Sequence, residues 1–397
     1  MFYRQTWAEI NLDAIFNNVA RFKTYLSKDK QLMATVKADG YGHGAVPAAK
    51  TALRAGADWL AVALLEEGIE LRQAGIRAPI LVLGYVLPTY LPLAQRHQLH
   101  ITVPDHAYFK DMAAHVHPDE PPLQFHLKLD TGMGRLGICS QQELEQVISK
   151  YLQWSSSDPA SQVLKWTGVY SHLATADERD DTYLRQQLAT FDYMVDQILA
   201  SGIQPDSIHL ANSAGLIRQT MGRHATLVRL GISMYGLLPS AWMAELLPFD
   251  LEPAFSLHSK LSQVKRVTAG HGISYGCTYR AQKEEWIGTI PIGYADGYSR
   301  LLSNRAHVLI NGRRYPVVGR VCMDQMMIKL DRPYSRHQQV TLIGRQGGQE
   351  VSVDELAGLI GTINYEIPCQ ITKRVPRVHV GVKPEVQDLI SRKRNEV

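Results

Sequence analysis

Regular patterning begins at Asp13, a residue suited to cap a helix, after which apolar side chains fall at Ile15, Phe16, Val19, Phe22, Tyr25 and Leu26. That three-and-four spacing predicts a helix. From there to about residue 235, short apolar runs alternate with amphipathic stretches. The runs are "LMATVKA", "WLAVAL", "PILVLG", "LHITV", "LQFHLKLD", "KWTGVYSHL", "SIHLAN" and "TLVRLGI". Helical patterns such as "PAAKTALRAG", "LEEGIELRQAG", "HAYFKDMAAHV", "QQELEQVISKYL" and "YLRQQLATFDYMVDQILASG" lie between them. Near-continuous apolar strands followed by helices indicate a parallel sheet covered on both faces. Eight of them predict a closed (β/α)8 barrel of the TIM type over residues 12–240, rather than an open doubly wound sheet.

Beyond about residue 250 the pattern becomes β-rich: "FSLHSKLSQVKRV", "WIGTIPIGYADG", "HVLINGRRYPVVGRV" and "QQVTLIG", punctuated by Asn311-Gly312 and Gly347-Gly348. Asn-Gly between apolar runs predicts a hairpin. One helical insert, "SVDELAGLIG", interrupts this region. The expectation is an α/β chain whose second, mostly-β domain comprises residues 241–397. Residues 1–11 join it, because "TWAEINL" is left over from the barrel count. "WSSSDPASQ" (154–162) reads as a surface loop.

Composition adds exclusions. At 397 residues, with 45% hydrophobic and 20% charged residues, the chain suits two globular domains. Its net charge of +4 gives no support for nucleic acid as a partner, and "SRKRNEV" at the end reads as a solvated terminus. Cys139, Cys277, Cys322 and Cys369 show neither CxxC nor metal-like spacing, so no metal site is expected and a reducing compartment is. "MFYRQTWAEINLD" lacks the basic start and apolar core of a signal peptide, and no run of eighteen apolar residues offers a membrane span. A soluble, cytoplasmic protein is the expectation.

In such a barrel, function gathers at the C-terminal ends of the strands. Lys37, Lys128, Asp130, His172, Asn212, Ser213 and Arg229 stand there, with Arg135 just beyond. Each has an ordinary explanation alone. A strand-end lysine snorkels, Lys128 and Asp130 could pair at the surface, His172 could be a bonded core histidine, Arg229 a clamp, and Ser213 a helix cap. Their convergence points elsewhere. "ANSAG" and, one strand later, "RLGI" set Ser213 and the amides near Gly231 at one rim, suited to a phosphate. A phosphate site, a strand-end lysine and an arginine together suggest pyridoxal phosphate held on the lysine.

Nine segments in order, "VKADGYGHG", "KLDTGMGRLG", "SHLATADE", "ANSAG", "RLGISMYG", "ISYGCTY", "IPIGYADGY", "GRVCMDQMM" and "INYEIPCQITKRVPR", resemble the alanine racemase family. The resemblance spans nearly the whole chain. It implies a pyridoxal 5'-phosphate enzyme with a barrel and a C-terminal β domain, working as a homodimer with shared active sites and making D-alanine for peptidoglycan. By the same resemblance Lys37 carries the cofactor and serves one face of the substrate, and Tyr275 from the partner subunit serves the other. Arg229 bonds the pyridine nitrogen, and His172 orients Arg229. Tyr41, Asn212, Ser213, Gly231, Ile232 and Tyr365 match cofactor-binding positions, most of them at the phosphate. Arg135 and the Met323 backbone match contacts to the substrate carboxylate. Tyr294 matches an entrance residue, and Asp324 lies near the partner-derived tyrosine. Lys128 matches a position often carbamylated, where the new carboxylate would hold Arg135. The alternatives of the same fold are a serine or broad-specificity racemase and an amino-acid decarboxylase. Arg229, where such decarboxylases carry glutamate, argues against the second.

Overall fold

The computed structural model describes residues 3–157 and 163–381. Two compact units emerge. One comprises Ile15–Gly40 and Ala45–Glu252; the other gathers the chain before Ile15, the short piece Tyr41–Gly44 and the chain from Pro253 onward.

The first unit is the barrel. After a strand of the other unit, β1 (Trp7–Asn11), its strands are β2 (Gln31–Thr35), β3 (Trp59–Val62), β4 (Ile80–Val82), β5 (His100–Val103), β6 (Leu123–Lys128), β7 (Leu164–Tyr170), β8 (Ser207–His209) and β9 (Leu227–Leu230). They pair in parallel in the order β8-β7-β6-β5-β4-β3-β2-β9. Backbone bonds from Thr226 N to Ile208 O (2.9 Å) and from Arg229 N to Ala211 O (3.1 Å) close the ring between β9 and the β8 edge. All eight predicted runs form strands, shorter than the apolar runs because the polar ends belong to the loops above them. Met33, Trp59, Ala61, Leu81, Tyr170 and Leu227 form one buried cluster.

Several details differ from expectation. A helix at Leu91–Arg96 follows a single turn at Pro88–Tyr90. Pro88 and Pro92 obscured it in the sequence, yet proline fits a first turn, where its missing N–H costs nothing. The expected loop from Trp154 begins as helix, since Gln141–Ser157 is one element; residues 158–162 and the basic end lie outside the described residues.

In the other unit, β1 runs antiparallel to Phe255–Lys260, with Ile10 opposite Phe255, and parallel to Arg377–Val380. Asn311-Gly312 turns His307–Ile310 into Arg313–Pro316, both turn residues at positive φ (50° and 74°). Gly347-Gly348 likewise joins Gln339–Gln346 to Gln349–Val351. The tract 255–267 divides between two sheets: Gln263–Val267 pairs with Glu285–Ile290, which in turn pairs with Met326–Leu330. The helix Val353–Ile360 starts at Ser352, whose side chain accepts from Glu355 N, and stops at Gly361 in the left-handed conformation.

Candidate active site

Lys37 lies two residues beyond β2 and is half-buried. The backbone after it does not turn as a right-handed helix. Ala38 (φ 53°, ψ 51°), Asp39 (52°, 47°) and Gly40 (61°, 44°) form a left-handed turn, and Tyr41 continues it at φ 52°. For residues with a Cβ this costs about 1–2 kcal/mol each, so the loop needs outside support. Ala38 N donates to Glu67 Oε1 (2.6 Å), and Ala45 N to Asp39 Oδ1 (2.9 Å). Glu67 Oε2 accepts from Ala63 N (2.7 Å) and Leu64 N (3.1 Å), tying this turn to the loop after β3. Strain maintained this way is typical of functional sites.

β9 neighbours β2 and carries Arg229, which stands one residue before its end and is 4% exposed. Its Nη1 donates to His209 Nδ1 (2.8 Å); its Nη2 faces Ser171 O (2.8 Å), Leu210 O (2.9 Å) and His172 Nδ1 (3.1 Å). These acceptors are all neutral, since His172 and His209 both sit far below the ordinary histidine pKa. Desolvation is the main cause, followed by the Arg229 charge; Arg135, Lys128 and Lys37 add to it at His172. A guanidinium held by neutral acceptors keeps its full charge and can only donate.

At the neighbouring rim, Asn212 caps the turn Ser213–Ile217 by accepting from Gly215 N (3.0 Å). Ser213 is therefore not the cap; its buried hydroxyl accepts from Gly231 N (2.9 Å), bridging the ends of β8 and β9. Ile232 opens the short helix that follows. Lys128, buried at the end of β6, donates to Leu129 O (2.7 Å) and lies 5.0 Å from the Tyr170 ring centre. Burial, with help from Arg229 and Arg135 against Asp130, lowers its pKa to about 7. Asp130 makes no surface pair with Lys128. Its Oδ1 collects the N–H groups of Gly132, Met133 and Gly134 (3.0, 2.8 and 3.0 Å) and its Oδ2 that of Arg135 (2.8 Å). Burial raises the Asp130 pKa, but those four bonds outweigh it and hold the carboxyl below its usual value. Arg135 itself is exposed.

The other unit holds the remaining candidates. The Tyr41 and Tyr365 rings stand 6.1 Å apart. Gly42 lets this segment run close to Pro368, whose O would lie 2.2 Å from any Cβ there. Tyr294 and Met323 sit on loops bonded to each other, through Tyr294 N to Cys322 O and Ala295 N to Met323 O, both 3.0 Å. Asp324 pairs with Arg374 Nη2 at 2.7 Å. Tyr275 follows Ser274, at φ 64°, and is 70% exposed.

Sequence reasoning missed a set of polar side chains inside the barrel, below the mouth. His209 Nε2 lies 3.0 Å from His126 Nδ1, and Tyr170 stacks on His209 at 4.8 Å and 2°. Thr102 Oγ1 donates to Val82 O (2.8 Å) and meets the Tyr170 hydroxyl at 2.7 Å. The signal was present as His126 and Lys128 two apart on β6, and His100 and Thr102 two apart on β5. No group of His, Cys, Asp and Glu suited to a metal occurs among the described residues, and no helix among them is long and apolar enough to cross a membrane.

The family model of the alanine racemase N-terminal domain matches residues 10–239, and that of the C-terminal domain residues 254–379. An alanine racemase of Anoxybacillus flavithermus is 49% identical, covering 97% of each chain. One of Geobacillus kaustophilus is 48% identical over 98% of this chain and 99% of its own. Among solved structures, alanine racemase from Bacillus anthracis with bound L-Ala-P superposes with a TM-score of 0.91 at 44% identity, covering 96% of this chain and 97% of that one. By the match of both domain models and by these relatives, the chain belongs to the alanine racemase family.

Proposed function

We propose that the chain is an alanine racemase that uses pyridoxal phosphate, removes the α-proton of alanine from one face and returns a proton to the other, and works as a homodimer with shared sites. The observation that carries the cofactor reading is Arg229: a buried cation, donor-only, set at a barrel mouth against neutral acceptors and next to the strand that leads to Lys37. The donor set fits the group. Lys37 offers an amine, Arg229 a donor for a pyridine nitrogen, and Ser213 with the Gly231 and Ile232 amides suits a phosphate, joined in this reading by Asn212, Tyr41 and Tyr365. When bound, pyridoxal phosphate withdraws charge from the α-carbon, so that its proton can be removed.

The chain's own residues do the rest. Lys37 exchanges the proton on one face, and Tyr275 of the partner subunit on the other. Because a guanidinium does not deprotonate, Arg229 donates to the ring nitrogen and no proton resides there. That moderates the withdrawal of charge and disfavours side reactions. Arg135 and the Met323 N–H orient the substrate carboxylate, Tyr294 narrows the entrance, and Asp324 stands near the partner's tyrosine. The Lys128 amine, with its pKa near 7, is neutral often enough to take up carbon dioxide and hold Arg135 as a carbamate. The exposure of Tyr275 supports a shared site, since a lone chain leaves it in water. In this reading the product supplies peptidoglycan synthesis in the cytoplasm.

The test is an absorbance spectrum of the purified protein followed by D/L analysis of alanine. Mixing Lys37→Ala chains with Tyr275→Phe chains then tests sharing, because each hybrid dimer regains one intact site. A protein without the cofactor band, or hybrids that exchange subunits and stay inactive, would refute the corresponding part.

A further inference from the structure

The contacts of Arg229 determine where protons sit deep in the barrel. Arginine has donors only, so His209 Nδ1, 2.8 Å from Nη1, must present a lone pair. Neutral His209 then carries its proton on Nε2, which points at His126 Nδ1 across 3.0 Å. His126 in turn must accept at Nδ1 and keep its own proton on Nε2. That nitrogen is buried and has no hydrogen-bond partner among the described residues. The His126 ring packs among other rings: its centroid lies 5.5 Å from that of Trp59 at 63° and 5.4 Å from that of His100 at 90°. His126 therefore gives up one polar partner to make one specific bond.

The barrel is shaped for that bond. Gly168 on β7 lies against the His126 ring, and a Cβ there would sit 2.4 Å from Nδ1 and 2.5 Å from Cγ. The β6–β7 register also shifts between Phe125 and His126, pairing Phe125 with Trp166 but His126 with Gly168. Tyr170, anchored by Thr102, lies flat on His209 and fixes the plane of the middle ring.

We propose that His126 is a positioning residue for Arg229: as acceptor at Nδ1 it locks His209 into the Nε2–H tautomer and so keeps a lone pair aimed at the guanidinium. The proposal rests on the reading of Arg229 as the donor to the cofactor ring. Without the acceptor, His209 gains nothing from a proton on Nε2. Its other tautomer would set N–H against N–H at Arg229 and release the guanidinium.

The test is 15N NMR of histidine-labelled protein, with and without pyridoxal phosphate, on the native chain, His126→Phe and His126→Asn. The native chain should show His209 protonated at Nε2 and bare at Nδ1 in both states. In H126F this preference should weaken, and kcat should fall about tenfold with a smaller change in KM. H126N, whose carbonyl restores an acceptor, should recover the tautomer and most of kcat. A native His209 protonated at Nδ1 would overturn the proposal, and so would an H126F enzyme with native tautomer and native kcat. If H126F does not fold, H126N decides: a native tautomer with a tenfold loss of kcat would refute the link. Failure of the cofactor reading shows separately, as an absent absorbance band, while the tautomers of the cofactor-free protein still report on the relay.

Discussion

Acid should destabilise the barrel well above the pH at which carboxylates titrate. His100, His126 and His209 lie inside it and are essentially inaccessible to solvent. Burial holds His100 at about 3, with Arg72 contributing. It holds His126 and His209 far below 6.5, with His100 and Arg229 adding at His126, and Arg229, His126 and Lys128 at His209. The charged groups facing these rings are thus cations, and the stacked Tyr170 is neutral, its pKa raised to about 12 by burial. Each folded-state pKa is depressed below its unfolded value. Above pH 6.5 neither state holds the proton and nothing is lost; below it, the unfolded chain takes up protons that the native barrel refuses.

At about pH 5.5, one unit under the unfolded pKa, each histidine costs about 1.4 kcal/mol. Three cost about 4 kcal/mol, against a typical total stability of about 5–15 kcal/mol. The half-buried His172, also depressed, adds in the same direction. The lowered carboxylates Asp130, Glu285 and Asp331 act only at lower pH, where their unfolded forms protonate. Urea denaturation followed from about pH 7.5 to 5.5 should show stability falling, with a slope that approaches four protons taken up by the barrel histidines on unfolding, and a fifth from His258, which burial holds at about 4. A flat profile, or uptake of less than about one proton, would mean that the rings are solvated or already charged. The tautomer argument would then fail with it.

Other outcomes follow from single contacts. Asp130→Ala removes the acceptor of four backbone N–H groups, so the loop carrying Arg135 should loosen and KM for alanine rise about tenfold, more than kcat falls; steady-state kinetics decide. Arg229→Glu sets a carboxylate where only a donor stood and should raise pyruvate formed by transamination relative to racemisation; an unchanged ratio would remove that role. Gly42→Ala meets Pro368 O at 2.2 Å with φ at +81° and should destabilise its unit by about 1–3 kcal/mol in thermal denaturation. With 13C-bicarbonate, native protein should show a carbamate signal that Lys128→Ala lacks, and stripping bicarbonate should lower activity reversibly.

The barrel was legible because strands buried on both faces read as apolar runs, and the mouth because Lys37, His172, Ser213 and Arg229 interrupt those runs at their ends. The interior polar set was not legible for the same reason. Reading "LQFHLKLD" as one run hides that His126 and Lys128 share a face while Phe125 and Leu127 take the other, and only closure of the ring makes that face inward. The turn after Lys37 was half legible. Gly40, Gly42 and Gly44 announce a sharp change of direction, but Ala38, Asp39 and Tyr41 adopt the same left-handed backbone, held there in part by Glu67 from the first turn of the helix after β3. Support from a residue nearly thirty positions away leaves no local trace. Asn212 and Ser213 show the limit most narrowly: either could cap the turn, and the choice depends on Gly231, from the following strand, needing an acceptor.

The interior histidines and Arg229 make sense as one arrangement. A carboxylate beside the guanidinium would hold it more strongly, but would cancel its charge and could pass a proton toward the mouth. Main-chain carbonyls hold Nη2 closely, through Ser171 O and Leu210 O at 2.8 and 2.9 Å, but reach Nη1 only through His209 O at 3.4 Å, so alone they would let the fork pivot about Nη2. A neutral imidazole at the other Nη stops the pivot without cancelling the charge, provided that its lone pair points the right way. That condition calls for the second imidazole, and the second imidazole calls for the space at Gly168. The acid sensitivity is then a consequence of aiming a full positive charge with neutral groups. A variant that replaced His126 and His209 by apolar residues should resist acid better and hold Arg229 less well, and the two effects should appear together.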